Sequence, residues 1–286
     1  MPMNIDRARH IGLLRRIPLE LAFGLLFTGG MTLLVVFSGL IFQGKPDMMD
    51  LSARLLPPFV SVNHILGTDP LGRDVLARIA AGGKISLVVG VVSVAGAVIL
   101  GTLTGLIAGY FKGIADTILM RIADVQLALP FILMALTFIA ILGPGLMILI
   151  GLMIIAQWVQ YARLVRGMVL SLRDREFVES ARAIGASKPR ILFLHVLPNV
   201  IGPIIVLMTL NVANNILLES SLTFVGLGVD ASLPSWGGML ADGRTYVQTA
   251  WWIGVFPGLA IMITVLGLNL LGDWLRDHLD PARTRQ

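Results

Sequence analysis

An all-α integral membrane protein with six transmembrane helices is what the sequence predicts, on three observations. Only 14% of the 286 residues are charged and 56% are hydrophobic, against about 25% charged in an ordinary soluble domain. The apolar residues gather in long charge-free intervals that reach or exceed the ~20 residues of one bilayer crossing. Lys and Arg are also divided unequally between alternate connections, as the orientation of a multi-span protein requires.

The first interval, Leu21 to Phe42, is too long for the apolar part of a secretory signal and reads as a retained anchor. Ile85 to Phe111 is the second span, set between Lys84 and Lys112. Val125 to Ala162 is about twice one crossing, and Gly143–Pro144–Gly145 breaks it near its middle, so it reads as a hairpin of two spans. Ile191 to Leu218 and Thr245 to Gly272 complete the six. The chain divides accordingly into an N-terminal segment (1–16), a first transmembrane helix (17–42), an outer loop (43–84), a five-helix core (85–273) and a tail (274–286).

Of the 22 Lys and Arg, only Lys45, Arg54, Arg73, Arg78, Lys84 and Arg244 fall in one set of alternate connections. The rest fall with the two termini, so both termini are expected in the cytoplasm. Two long loops, Gln43 to Lys84 and Thr223 to Val247, then lie outside. Both carry Trp or Leu that would be costly in water, and both are expected to fold onto the membrane domain or to meet a partner.

Several function classes are excluded. There is no cysteine, hence no disulfide framework or thiolate metal site. His10, His64, His195 and His278 are scattered, and no pair shares a helix face at ligand spacing. The segment AAGGKIS holds Gly83 and Lys84 but lacks the upstream glycine, and Ile85 stands where a phosphate loop needs a hydroxyl. The basic residues are not interleaved with aromatics, so nucleic acid is not an expected partner; the lipid bilayer is.

One segment stands apart, DREFVESARAIGASKPRILFLHVLPN, Asp174 to Asn199. Phe177, Ala181 and Ile184 recur at helical spacing from Asp174 to Ile184, and Arg175 lies four residues before Glu179 and could pair with it. Gly185 ends that helix, Ser187 caps a second with Pro189 in its first turn, and Pro198 marks the approach to the membrane. Such a hinged knob suits a helix lying in the lipid interface or one docking into another protein. The glycine hinge and the glutamates on its polar face lean toward docking.

The segment resembles the EAA loop of binding-protein-dependent ABC importer permeases. Glu179, Ser180, Ala181, Gly185, Leu197 and Pro198 fall at its spacings; Ser180 replaces an alanine, and His195 stands where an isoleucine is usual. LGTDPLGRDVLAR (from Leu66), YARLVRGMVLSLRDREFV (from Tyr161), SLTFVGLG (from Ser221), PSWGGML, AWWIGVFPGLAI and LNLLGDWLRDHLDP are similar to the dipeptide/oligopeptide/nickel permease family, C-type subunit. The similarity runs from Leu51 to Pro281. It implies a type I importer permease in a bacterial cytoplasmic membrane, whose coupling helix, with Glu179, Ser180, Ala181, Gly185 and Pro198, meets an ATPase. It also implies a homologous second permease, two ATPase subunits that bind the ATP and Mg, and an extracytoplasmic solute-binding protein. No cofactor and no catalytic residue are expected in this chain.

Polar residues inside spans are costly and tend to serve a cavity or a neighbouring helix. Asn211 and Asn215, and again Asn215 and Glu219, share one helix face; with Gln157 they are candidates for the translocation pathway, and interhelical hydrogen bonding is their other reading. In the outer loop, Gly67, Thr68, Asp69, Gly72, Arg73 and Asp74 form a motif whose charges can pair internally and which could help meet the binding protein. Small peptides are the expected cargo. Glutathione, a nickel chelate, an opine or an oligosaccharide is the alternative, and a stand-alone secondary transporter or a membrane enzyme is the weaker rival.

Overall fold

The computed structural model describes residues 18–230 and 232–279. The expected N-terminal segment, 1–16, and the tail from 280 onward lie outside the described residues. What is described is helical apart from connections and two isolated β-bridges, Ser61 with His64 and Thr68 with Asp74.

Helix α1, Leu19–Val36, is followed by a short turn of helix, α2, Ser38–Ile41. Helix α3 runs from Val75 to Phe111, beginning ten residues before the expected Ile85. The Asp74 carboxylate is the reason, since it caps the helix by accepting from the Ala77 N–H at 2.7 Å. Arg78 and Lys84, taken from the sequence as loop residues, lie on this helix. The outer loop is therefore shorter than 43–84, and the helical core starts before residue 85.

The third crossing departs further from expectation. Helices α4, Gly113–Ala128, and α5, Phe131–Leu142, meet at an angle of 87°, and only as a bent pair do they count as one span. Pro130 disfavours a helical residue before it, and Leu129 is extended at ψ 122°. The break foreseen at Gly143–Gly145 is present: α5 stops at Leu142, Gly143 has φ +84°, and α6 runs from Leu146 to Leu172. Among the described residues, five helices are long and apolar enough to be single spans, and counting the bent pair as one span gives up to six.

After a short helix α7, Glu176–Ala183, the chain forms α8 from Lys188 to Phe224, with a π-helical stretch at Ile191–Val196. Helix α9, Trp236–Gly243, and the last span α10, Trp252–Leu279, follow.

Small residues set the packing, as they do where lipid removes the hydrophobic drive between helices. Gly101, Gly105 and Gly109 lie one turn apart on α3 against α6. A Cβ on them would come within 2.4 Å of the Trp158 carbonyl, 2.6 Å of the Ala162 carbonyl and 2.7 Å of the Val169 Cβ. Gly24 of α1 and Gly267 of α10 allow a second close approach. Helix α4 is tied to α6 by ion pairs, Arg163 to Asp124 and Arg166 to Asp116, each with an N–O distance of 2.7 Å.

Candidate functional site

The predicted knob is present and its geometry is specific. Its helix α7 starts at Glu176, so Arg175 is the extended N-cap residue (φ −83°, ψ 149°) and lies outside the helix. Helical spacing therefore does not bring Arg175 to Glu179, and among the described residues no ion pair joins them. Asp174 pairs instead with Arg173 at 3.0 Å, and that hydrogen bond holds its carboxyl below the usual range.

The buried face also differs from the one expected. Val178 is fully buried and Ala181 nearly so, packed with Ile191, Leu192 and Val196 and with Leu106, Tyr110, Val165 and Val169 of the spans. Phe177 is 41% exposed and Ile184 85% exposed. The knob is thus anchored through one stripe and presents two large apolar side chains on another.

Gly185 closes α7. Its φ is +80°, its N–H donates to the Arg182 carbonyl at 3.1 Å, and the Ala186 N–H donates to the Ala181 carbonyl at 3.0 Å. This pair of bonds is the Schellman arrangement, which needs a left-handed residue here. A Cβ on Gly185 would meet no atom of this chain within 4 Å. Glu179 and Ser180 lie on the exposed side, and Pro198 sits in the first turn of regular helix after the π stretch.

The polar residues of α8 form a ladder with α3 and α6. Glu219, with no exposed surface, accepts from Ser86 at 2.8 Å, Thr223 at 2.9 Å and Ser220 at 3.3 Å. Asn215 accepts from the Gln157 amide and donates to Ser93 at 2.6 Å. Asn211 donates to the Tyr161 hydroxyl at 2.9 Å and to Gln160 at 3.3 Å. What the structure gives Asn211, Asn215, Glu219 and Gln157 is therefore interhelical hydrogen bonding. All four are buried within the chain, where a polar group in a span is least costly when paired. Asn214 and Gln160, on the same two helices, are exposed.

The outer motif folds around Asp69. Its Oδ1 accepts from the Leu71 N–H at 2.8 Å and the Arg73 N–H at 3.0 Å, and its Oδ2 from Arg73 Nε and Arg78 Nη1, both at 2.6 Å. Burial alone would push this carboxyl up, but the Arg73 hydrogen bonds and charge outweigh it and hold Asp69 below its ordinary value. The Thr68 hydroxyl accepts from the Leu56 N–H at 2.8 Å and donates to the Ala53 carbonyl. Asp74 caps α3 through one oxygen and meets His64 Nδ1 at 3.0 Å with the other. Gly67 and Gly72 are left-handed, and a Cβ on Gly72 would lie 1.7 Å from the Asp50 carbonyl. The Trp252 indole donates to the Thr68 carbonyl at 3.1 Å, which ties the loop to α10.

A family model described as the binding-protein-dependent transport system inner membrane component matches residues 101–285. The chain belongs to this family. It is thus the inner-membrane component of a transport system that works with a binding protein, and it crosses that membrane several times. Among relatives, it is 44% identical over 258 residues to the dipeptide transport system permease protein DppC of Alkalihalophilus pseudofirmus, covering 90% of this chain and 84% of that protein. It is 45% identical over 218 residues to the glutathione transport system permease protein GsiD of Pectobacterium atrosepticum, covering 76% and 72%. A chain of the inward-facing MetNI methionine ABC transporter superposes with a TM-score of 0.56 at 19% identity, over 71% of this chain and 96% of that one. The fold is that of a type I importer permease.

Within this family fold, several residues that matter were not singled out from the sequence. Ser86, Ser93 and Tyr161 complete the polar ladder, and Arg78 completes the Asp69 node. The serines give no signal of their own in an apolar run. Arg78 could have been found as a cation one helical turn beyond the capping Asp74.

Proposed function

We propose that this chain is one permease of an ATP-driven importer of small peptides, forming half of the translocation pore with a homologous second permease. Helix α7 docks into an ATPase subunit on the cytoplasmic side, which also holds both termini. The observation that carries this reading is the divided surface of α7: Val178 and Ala181 are sunk into the spans, while Phe177 and Ile184 remain exposed beside a glycine with open space around it. Motion of a docked partner would pass through that anchored stripe to α6 and α8.

In this reading ATP and Mg belong to the partner ATPases, as the resemblance to binding-protein-dependent importer permeases implies. Phe59, Val60 and Val62 of the outer loop, 78%, 68% and 92% exposed, offer an apolar surface to the solute-binding protein or the second permease. Asn214 and Gln160, which face outward within the span region, are the pathway candidates this reading favours. The peptide assignment rests on the relatives, whose names give a dipeptide and glutathione, both peptidic, as their cargoes.

Gly185 supplies the test. Gly185→Asn keeps a residue that tolerates the left-handed conformation, whereas Gly185→Leu adds strain of about 1–2 kcal/mol and bulk where the partner would sit. In the reconstituted transporter, Gly185→Leu should uncouple ATP hydrolysis from uptake while membrane insertion is retained, and Gly185→Asn should be far milder. Normal uptake in Gly185→Leu contradicts the docking role.

A further inference from the structure

On the outer side of the chain, a cavity of about 470 Å³ lies between the start of α3, the segment joining α8 to α9, and α9 itself. That volume is within the range of small-molecule sites. Its wall carries two cations, Arg78 and Arg244, and two carboxylates, Asp230 and Asp242, with Val229, Leu233 and Met239 among its apolar lining.

Arg78 decides the chemistry. It is 6% exposed and its Nη1 is fixed on Asp69 at 2.6 Å, so its position is set by the fold. Asp242 is 3.8 Å away, beyond hydrogen-bond reach. Nη2 and Nε have no hydrogen-bond partner among the described residues, and they belong to a side chain that lines the cavity. A guanidinium with spare N–H groups fits a carboxylate, which two parallel hydrogen bonds can satisfy. Arg244, held against the Phe224 ring at 5.8 Å, adds a second positive group to the same wall. Asp230 and Asp242 are exposed acceptors for an ammonium group. The Ser232 N–H and side chain hold the Asp230 carboxyl below its usual range, so it is charged at neutral pH.

We propose that this cavity is an outer binding site for a short zwitterionic peptide on its way from the binding protein into the pore. Its C-terminal carboxylate lies on Arg78 and Arg244, and its amino group on Asp242 and Asp230. The inference rests on the peptide-importer reading and adds a place and an orientation to it. Val229, Leu233 and Met239 accept side chains without polar discrimination, which suits a carrier of many peptide sequences.

The test uses the whole transporter in nanodiscs, with a radiolabelled alanyl-photoleucine dipeptide delivered by its binding protein and cross-linked by light. The label should map to residues 224–244. Its yield should fall at least ten-fold in Arg244→Gln and clearly in Asp242→Asn, the loss expected when a charge-assisted contact is removed. Arg244 and Asp242 make no hydrogen bond to Asp69, Asp242 standing 3.8 Å from Arg78 Nη1, so a thermal-unfolding scan of both variants checks that the fold is kept, and Arg78 itself need not be changed. Label outside that segment, or yields unchanged in both variants, overturns the inference. Dipeptide uptake by the wild-type transporter is measured in parallel. Its absence refutes the functional reading itself and the inference with it, whereas uptake without label in 224–244 refutes the inference alone.

Discussion

Replacing Ile184 by alanine should weaken the ATPase complex without harming the permease. The side chain is 85% exposed in this chain, so its own packing contributes little to the fold. Docking that buries it would remove three carbons from water at about 0.8 kcal/mol each, or about 2 kcal/mol after allowing for the part already covered. At 1.4 kcal/mol per factor of ten, the permease should bind its ATPase about 30-fold more weakly. The variant's own stability should change by less than about 0.5 kcal/mol. Val178→Ala is the counterpart. Fully buried, it loses two carbons from the core, about 1.6 kcal/mol before any cavity term, and should lower the thermal midpoint of the isolated permease. The assay pairs interferometry of the nanodisc-held permease against its ATPase with a thermal-unfolding scan. An Ile184→Ala variant that binds within two-fold of wild type, or that loses stability as Val178→Ala does, would refute the reasoning.

Three further outcomes follow from the packing. Gly105→Leu should cost well over 1 kcal/mol and reduce folded yield, because its Cβ would lie 2.6 Å from the Ala162 carbonyl; Gly151→Leu, with nothing within 4 Å, should be tolerated, as size-exclusion profiles would show. Glu219→Leu leaves the Ser86, Ser220 and Thr223 hydroxyls without their acceptor and should destabilise by roughly 1–3 kcal/mol, read by thermal unfolding. Asp69 has a depressed folded pKa, so its contribution is complete above its unfolded value near pH 4 and is lost as pH falls through the lower folded value. Hydrogen exchange of the outer loop should therefore rise below about pH 4 in wild type and be raised already at neutral pH in Asp69→Asn.

The spans and the knob were legible because charge scarcity and helix signals are local properties. Gly185 was read correctly as a helix terminator, since a left-handed residue after α7 leaves few choices other than glycine. The start of α3 was missed because charge was used as a boundary: Arg78 and Lys84 interrupt the apolar run, yet Asp74 caps a helix that carries both. The face of α7 was misjudged by one residue. Phe177, Ala181 and Ile184 satisfy helical periodicity, but the spans behind the helix accept Val178 and Ala181, and periodicity alone cannot say which neighbour is present. The polar ladder shows the same limit. Asn211, Asn215 and Glu219 announced a shared face, while their partners on α3 and α6 are distant in sequence and set only by packing.

The central claim, that α7 meets an ATPase, is tested most directly by cross-linking. The chain has no native cysteine, so Ile184→Cys supplies a single reactive thiol on the exposed stripe. In the intact transporter, a short bifunctional reagent should join it to the ATPase subunit, with a yield that changes on adding ATP. Phe59→Cys in the outer loop should not react with that subunit. Failure of the Ile184 thiol to reach the ATPase, or an equal cross-link from Phe59, would contradict the account.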